Sequence, residues 1–281
     1  NSGNYQLIER GVIDVYDEVD RNAFFLSVLS ASPEYVYSFS YGTSSGEYFG
    51  ARRNEKNEFE IMKSNAETNQ HSRYYQVNDD YTEDELVKEY SLFDPRTRPW
   101  YQMAKEHEVQ VFAPIYKHFV MYDLALSAAQ PVYDKDGALM GVLGTHFPLT
   151  KINDFLASIE SNTKSEIYII DHMTDEVVAN SQGLSNFKEI ENNKLVGINI
   201  EGLNNQKISQ ALVTYKQNGE DRFQLETSEG ELHFYIVDYM KYGLDWLIII
   251  QTNQDDYNSE FKNSLFLFVI ITLGSMTFSI L

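Results

Sequence analysis

Residues 93–101 read FDPRTRPWY, and this stretch decides how the chain is interpreted because it places an arginine beside two large aromatic rings at a predicted helix start. Pro95 suits the first turn of a helix, where its missing N–H costs no hydrogen bond, and Asp94 can cap the free N–H groups. Arg98 and Tyr101 then share a helix face at i, i+3 spacing. A guanidinium offers a planar fork of donors to a carboxylate, and the aromatic rings supply an apolar wall. The stretch therefore predicts a site for a small anion.

A simpler interpretation of the same residues stays open. The guanidinium of Arg98 can stack on the indole of Trp100 at a helix terminus, a cation–π contact that serves packing and needs no ligand. The motif by itself fits both an anion site and a structural stack.

Further residues match a known pattern. Tyr116 follows the first stretch, and two strand-like runs come after it: residues 124–133, with QPVYD at their end, and residues 141–144, which read GVLG. Together with Arg98, Trp100 and Tyr101, these features resemble the membrane-distal module of double Cache sensor domains. Such domains are the extracytoplasmic halves of bacterial chemoreceptors, sensor kinases and cyclases. The resemblance extends over nearly the whole chain.

Composition places the chain among large, acidic, folded proteins. Its 281 residues are 43% hydrophobic and 14% aromatic, which is ample for a packed core. A net charge of -20 and a pI near 4.6 repel phosphate backbones and anionic headgroups, so we expect no nucleic-acid partner and no membrane binding through the globular part. The chain has no cysteine, which excludes disulfides, thiolate catalysis and cysteine metal sites and fits a periplasmic or secreted domain.

The two ends of the sequence predict a membrane attachment. No charge appears after Lys262, and residues 265–281 read LFLFVIITLGSMTFSIL, which we interpret as the start of a transmembrane helix. A buried terminal helix is the alternative. The sequence begins without Met and without a signal segment, so we expect that an anchor has been removed there. Taken with the resemblance, which implies a bacterial receptor, these features lead us to expect an inner-membrane protein whose domain is periplasmic or extracellular.

The N-terminal region, residues 1–32, predicts one long amphipathic helix that ends before Ser32-Pro33. This helix can pair with a second protomer as a coiled coil or pack along its own domain, and both alternatives stay open. Its apolar positions recur at steps of three and four residues, with an interruption near Asn22: Tyr5, Ile8, Val12, Val15, Val19, Leu26 and Leu29.

Residues 33–150 predict a PAS-like α+β module, the distal ligand-binding module, in which helices flank an antiparallel sheet. Residues 64–81 are polar and poorly patterned, so we expect a surface loop there. The predicted strands are residues 35–41, 48–53, 59–62, 124–133 and 139–147, and the predicted helices are residues 82–90 and 95–107.

Residues 151–254 predict a second PAS-like module nearer the membrane, introduced by a helix over residues 149–159. It has no counterpart of the arginine and aromatic cluster, so we expect the ligand in the distal module. Residues 255–281 form the predicted juxtamembrane and partial transmembrane helix. Within the second module we predict strands at residues 165–171, 176–180, 221–227, 231–239 and 246–252, and a helix at residues 206–217.

Three motifs that resemble catalytic or metal sites are discounted. Residues 42–46, GTSSG, match the hydrolase elbow, but a second strand follows at once, which predicts a hairpin turn. Residues 134–137, DKDG, lack the later acidic ligands of a calcium loop. The six histidines show no metal-ligand spacing. We therefore predict no catalytic residue, no metal and no cofactor.

The resemblance implies a particular ligand class. Arg98, Trp100, Tyr101 and Tyr116 match the carboxylate-binding half of the amino-acid-binding subfamily, which often has tyrosine where this chain has Phe93. That subfamily typically has aspartates for the ligand's ammonium group where this chain has His118 and His146. Two imidazoles facing the pocket would instead donate hydrogen bonds to an acceptor-rich ligand. We therefore expect a small carboxylate without an amine, bound more tightly as pH falls through the histidine range near 6.5. The alternative is that His118 and His146 are surface or core residues and that the pocket is vestigial.

These observations predict the sensing domain of a transmembrane receptor, in which no bond is made or broken. Its cytoplasmic output lies beyond Leu281, and the resemblance favours a diguanylate cyclase or a histidine kinase. Two alternatives are a ligand-free protein-interaction module and an anchored extracytoplasmic hydrolase, the latter lacking any recognisable nucleophile and base.

Overall fold

The computed structural model describes residues 3–227 and 230–253. Its contacts divide the chain into two compact units. The first unit runs to Tyr116 and resumes at Ala125–Phe147, and the second holds Lys117–Leu124 and the described residues from Pro148 onward. Both units are mixed α/β structures built on antiparallel sheets, which confirms the predicted α+β class with two PAS-like modules.

The first unit is organised around an eight-stranded sheet with the order β5-β4-β3-β2-β1-β8-β7-β6. Consecutive strands are neighbours except β5 and β6, which form the two edges, and β1 pairs with β8 in the middle of the sheet. The strands are β1 (Ser38–Thr43), β2 (Tyr48–Arg53), β3 (Phe59–Ser64), β4 (His71–Val77), β5 (Glu83–Leu92), β6 (Val111–Lys117), β7 (Leu124–Tyr133) and β8 (Leu139–Pro148).

The N-terminal region is helical, but the prediction of one continuous helix is wrong. Helix α1 (Asn4–Glu9) ends before Gly11, which takes a left-handed φ of 65°. Helix α2 (Glu18–Ser30) begins anew at Asp17, whose side chain accepts a hydrogen bond from Asp20 N. Left-handed glycine and an aspartate N-cap are helix end and start signals, and here they override the apolar periodicity that spans them. Pairing of this region with a second protomer stays a prediction.

Helix α2 covers one face of the sheet. The ring of Phe25 is fully buried and lies 5.6 Å from the ring of Phe39 on β1 in an edge-on arrangement. Arg53 of β2 donates to the carbonyl oxygens of Leu29 and Ser32, which ties the end of α2 to the sheet. Because side chains alternate across a strand, Ser38, Ser40 and Gly42 face the opposite side of β1 from Phe39.

The segment after β3 corrects two predictions. The predicted loop over residues 64–81 contains β4, and the predicted helix over residues 82–90 is β5. Residues 82–90 read TEDELVKEY, a helix-like composition with acids at the start. Pairing with β4 decides the outcome instead, although the pairing has three register shifts and most of β5 is exposed. Local propensity is a weak prior that such tertiary pairing overrides.

The second unit contains a five-stranded sheet with the order β10-β9-β15-β14-β13 and a separate two-stranded ribbon. One apolar core joins the sheet to helix α5 through Tyr168, Ile208, Leu212, Phe234 and Ile249, which are all nearly inaccessible to solvent. The elements are α4 (Leu149–Thr163), β9 (Glu166–Asp171), β10 (Val177–Asn180), β11 (Phe187–Ile190), β12 (Lys194–Gly197), α5 (Gln206–Asn218), β13 (Arg222–Thr227), β14 (Gly230–Lys241) and β15 (Leu244–Asn253).

The two discounted glycine motifs are turns. Residues 42–46 end β1 and lead into β2, with Gly46 N donating to Thr43 O. Residues 134–137 join β7 to β8, and the Asp134 carboxylate accepts from Asp136 N and Ala138 N. Within residues 3–227 and 230–253, no helix is long and apolar enough to cross a membrane. The predicted transmembrane helix over residues 265–281 lies outside the described residues.

Candidate functional site

The stretch 93–101 forms two short helical pieces rather than the single predicted helix. Asp94 caps a 3₁₀ turn, Pro95–Thr97, by accepting from Arg96 N at 2.9 Å, so the predicted capping role of Asp94 is confirmed. Arg98 is extended, with φ of -87° and ψ of 144°, and is the N-cap residue of α3 (Pro99–His107). The break arises because Pro99 disfavours helical geometry in the residue before it. Arg98 therefore leaves the helix axis, and its half-buried side chain is not part of a helical face.

This stretch is fixed against the β1–β2 hairpin. A Cβ on Gly42 would stand 2.6 Å from Pro95 Cβ, so only glycine lets the stretch approach the sheet this closely. The guanidinium of Arg96 binds the Asp94 carboxylate at 2.7 Å and lies over Gly46, where a Cβ would stand 2.8 Å from Arg96 Cζ. Arg96 thereby holds the hairpin turn against the stretch that carries Arg98.

An aromatic cluster surrounds the start of α3. The Tyr48 ring centroid lies 4.6 Å from that of Phe93 and 6.5 Å from that of Trp100. The guanidinium carbon of Arg98 stands 5.7 Å from the Phe93 centroid, within cation–π range. Trp100 is 2% exposed and packs edge-on against Tyr101 at 5.8 Å. The Arg98 guanidinium thus has Phe93 as one aromatic neighbour.

A chain of buried hydroxyls runs through the histidine of β8. His146 is 4% exposed; its Nε2 lies 3.0 Å from Ser40 Oγ, and its Nδ1 lies 2.8 Å from Ser127 Oγ. Ser127 Oγ lies 2.8 Å from the hydroxyl of Tyr116. The imidazole also packs edge-on against Trp100 at 5.3 Å. Both ring nitrogens of His146 therefore have hydroxyl partners inside the protein.

The hydroxyls of this chain are neutral donors. Burial raises the pKa of Tyr116 to about 12, against the opposing effects of Ser127 and Arg98. Burial likewise raises the pKa of Tyr48 well above its usual value, and its hydrogen bond to Ser40 opposes that shift. The positive charge of Arg98 is one of the influences that lower the pKa of Tyr116 against the effect of burial. The arrangement presents one cation and several hydroxyl groups to the same region of the sheet.

A buried ion pair lies on the same face of the sheet. Arg52 and Glu60, directly opposite each other on β2 and β3, bind at 2.6 Å with side chains 8% and 4% exposed. Arg52 also donates to the Tyr37 hydroxyl at 3.0 Å and stacks over the Tyr74 ring at 3.6 Å. The Glu60 carboxylate is therefore already committed to a guanidinium. This face has a fixed charge pair that a ligand would not need to neutralise.

His118 makes hydrogen bonds within a turn. It follows β6 and belongs to the second unit, where its Nδ1 accepts from the backbone N–H groups of Val120 and Met121 at 3.1 and 3.0 Å. This imidazole therefore stabilises a turn. Within residues 3–227 and 230–253, no group of three or more His, Cys, Asp or Glu side chains could hold a metal ion.

The sequence prediction missed the two serines and Tyr48. The first unit brings Phe93, Arg98, Trp100, Tyr101, Tyr116 and His146 together, but Ser40, Ser127 and Tyr48 are equally part of the cluster. Ser40 is directly opposite Gly144, where a Cβ would stand 2.8 Å from His146 Nε2. A polar serine opposite a glycine in a buried strand pair was the available signal.

Solved structures of other proteins are similar to this chain in fold. No protein family model and no curated protein matches the sequence. The ligand-binding domain of the Campylobacter jejuni chemoreceptor Tlp3 in complex with L-valine is similar in structure, with a TM-score of 0.50 and 15% identity over 86% of this chain and 73% of that chain. The same domain in complex with 4-methylisoleucine gives a TM-score of 0.51 and 14% identity over 92% and 83%. The chain has the double Cache fold. At this level of identity the double Cache similarity concerns the fold alone.

Proposed function

We propose that the chain is the ligand-sensing domain of a bacterial transmembrane receptor, and that its first unit binds a small carboxylate lacking an amine. The domain would lie outside the cytoplasm of an inner-membrane protein. Its output would be a cytoplasmic diguanylate cyclase or histidine kinase. No bond is made or broken in this segment.

The placement of Arg98 carries the proposal. Arg98 is half-buried beside Phe93, and its charge acts on the Tyr116 hydroxyl at the end of the buried hydroxyl chain. A guanidinium next to an aromatic wall and neutral hydroxyl donors matches the needs of a carboxylate, which accepts several hydrogen bonds and gains most from a charged donor. Arg98 makes no side-chain cap for α3, so its side chain is not required to complete the helix.

The proposal that the ligand lacks an amine rests on the residues of the same sheet face. The comparable Tlp3 domains are described in complex with amino acids. In this chain the predicted ammonium-binding position of β8 is His146, whose nitrogens bond to Ser40 and Ser127, and Glu60 on the same face is bound to Arg52. An ammonium group entering here would lose its water and approach neutral hydroxyls and an imidazole, at a cost of several kcal/mol.

His146 would act on the ligand through the two serines. A neutral imidazole donates to one hydroxyl and accepts from the other. A protonated imidazole donates to both, which turns the hydrogens of Ser40 and Ser127 outward, towards other acceptors. We therefore propose that affinity for acceptor-rich ligands rises as pH falls.

Signal transmission would start at the same contacts. A ligand held by Arg98 biases the position of the 93–101 stretch, which Arg96 and Pro95 fix to the β1–β2 hairpin. A ligand with different affinity for two arrangements of these elements shifts their populations by that difference. The receptor would read this shift through its membrane attachment.

Thermal unfolding in the presence of matched pairs of hydroxy and amino acids tests the proposal. A hydroxy acid present at a hundred times its dissociation constant should stabilise the first unit by about 2.7 kcal/mol, and the amino acid of the same skeleton should stabilise it less. A panel of carboxylates without any shift would contradict ligand sensing and favour a protein-interaction module. Greater stabilisation by the amino acids would contradict the ligand class alone.

A further inference from the structure

Strand β13 forms one edge of the five-stranded sheet in the second unit. It pairs with β14 in continuous register from Arg222 opposite Tyr235 to Thr227 opposite Gly230. In the described part of the chain no strand pairs with its outer edge. The strand contains no proline, and its pairing with β14 shows no register shift. An edge of this kind can accept another strand through backbone hydrogen bonds.

The two faces of β13 differ in polarity. Arg222, Gln224 and Glu226 are exposed, whereas Phe223 and Leu225 are only half-buried although they pack on the core of the unit. The Phe223 ring stacks on Phe234 at 5.5 Å with 17° between the planes. The apolar core of this unit therefore continues to the edge of the sheet. A further strand at this edge would cover it.

The sequence of β13 complements itself when two copies run antiparallel. Residues 222–226 read RFQLE, so a two-fold axis through Gln224 places Arg222 opposite Glu226 twice. On the other face, Phe223 stands opposite Leu225 twice. Opposite charges and apolar pairs directly across two strands stabilise a sheet, and like charges destabilise it. A two-fold interface uses the same patch on both copies, which this palindrome satisfies.

We propose that β13 pairs with β13 of a second copy of this chain about a two-fold axis at Gln224. The two five-stranded sheets then form one ten-stranded sheet, with the half-buried Phe223 and Leu225 covered at the junction. This surface is distinct from the N-terminal helical region, and the proposal is independent of ligand binding.

The edge strand of the other unit, β5, is protected against further pairing, and this contrast supports β13 as the pairing edge. Strand β5 is also an edge strand and exposes apolar side chains, including Leu86 at 50%. Its pairing with β4 contains three register shifts, which bend the strand and spoil further pairing. Bulges and repeated like charges are the usual means of protecting an edge. β13 has no register shift in its pairing with β14, and its two charges are of opposite sign.

Charge reversal tests the pairing in the full chain, with the oligomeric state measured by light scattering over a concentration series. Arg222→Glu and Glu226→Arg should each weaken the dimer roughly tenfold, because each turns two attractive pairs into repulsive ones. The two single variants change the net charge in opposite directions, so a general charge effect cannot weaken both. The double variant should restore the dimer. Lys188→Glu, a charge reversal at an exposed position of β11 in the same unit, should leave dimerisation unchanged.

Cross-linking fixes the register independently, since the natural chain has no cysteine. Gln224→Cys brings two cysteines opposite each other at the axis, with Cβ atoms about 5 Å apart, and should form a disulfide-linked dimer on mild oxidation. In Glu226→Cys the two cysteines are four residues out of register, about 13 Å apart, and should not cross-link. A chain that stays monomeric at every concentration, a dimer insensitive to both reversals, or equal cross-linking of both cysteine variants overturns the proposal.

Discussion

The buried pair of Arg52 and Glu60 gives a quantitative test of what holds the candidate site together. Removing the carboxylate with Glu60→Leu leaves the Arg52 guanidinium, 8% exposed, without its counter-charge. Breaking such a pair from one side costs about 3 to 5 kcal/mol. For a domain of this size that lowers the melting temperature by roughly 10 to 20 °C. The double variant with Arg52→Met removes both charges and should recover at least half of the loss, because no uncompensated charge stays buried.

Differential scanning calorimetry of the two single variants and the double variant checks this expectation. The exposed pair of Arg73 and Glu89 provides a matched control, since its nitrogen–oxygen distance is also 2.6 Å but its side chains are 28% and 40% exposed. Glu89→Leu should leave the melting temperature almost unchanged because solvent screens that pair. If Glu60→Leu and Glu89→Leu proved equally mild, burial would not control the energetics of this face and the reasoning would be refuted.

Two further predictions concern the approach of the site stretch and the pH dependence of the second unit. Gly42→Ala places a methyl group against Pro95, so it should lower the free energy of unfolding by about 1 to 3 kcal/mol and weaken carboxylate binding. Urea unfolding and calorimetry measure the two effects. The control is Gly137→Ala, at φ 81° in open space, which should cost about 1 kcal/mol of backbone strain and leave binding intact. Burial raises the pKa of Asp123, against the opposing hydrogen bonds from Thr150, so the folded state holds this proton more tightly than the unfolded state. That stabilisation is complete below the ordinary aspartate pKa of about 3.9 and is lost as pH rises through the raised value. Asp123→Asn should therefore gain stability relative to the natural chain between pH 4 and pH 7, and a constant difference across that range would contradict the assignment.

The strands that sequence patterns located best are the buried ones. The predicted bounds of β2 and β7 agree with the structure, because both runs are buried over most of their length and are followed by clear turn residues. The turn of residues 42–46 followed from the strand directly after it. In the second unit α5 was predicted to within one residue, since Asn205 caps its start and Gly219 ends it in a left-handed conformation.

The errors arose where long-range contacts outweigh local signals. Residues 82–90 have the composition of a helix, and only pairing with β4 makes them a strand. Strand β6 was not predicted, although Tyr116, which lies within it, was predicted as a site residue. The left-handed Gly11 divides the N-terminal helix, although the apolar pattern continues across it from Ile8 to Val12.

The site shows the same limit. A single side chain such as Arg98 can be recognised from its motif, but the partners of His146 cannot. Ser40 and Ser127 are distant in sequence from each other and come within hydrogen-bond reach of His146 only through the pairing of β1 with β8 and of β8 with β7. Sequence reasoning therefore assigned the imidazole directly to a ligand, whereas the structure joins it to two hydroxyls.

Isothermal titration of one hydroxy acid and its matched amino acid into the natural chain and into Arg98→Ala tests the central claim most directly. The natural chain should bind the hydroxy acid more tightly, and Arg98→Ala should weaken that binding about 10- to 100-fold, because a charge-assisted hydrogen bond contributes about 1.5 to 3 kcal/mol. The variant should stay folded and lose only about 1 kcal/mol of stability, since the Arg98 side chain caps no helix and its contact with Phe93 is a single cation–π contact. Unchanged affinity in a folded Arg98→Ala variant would contradict the account.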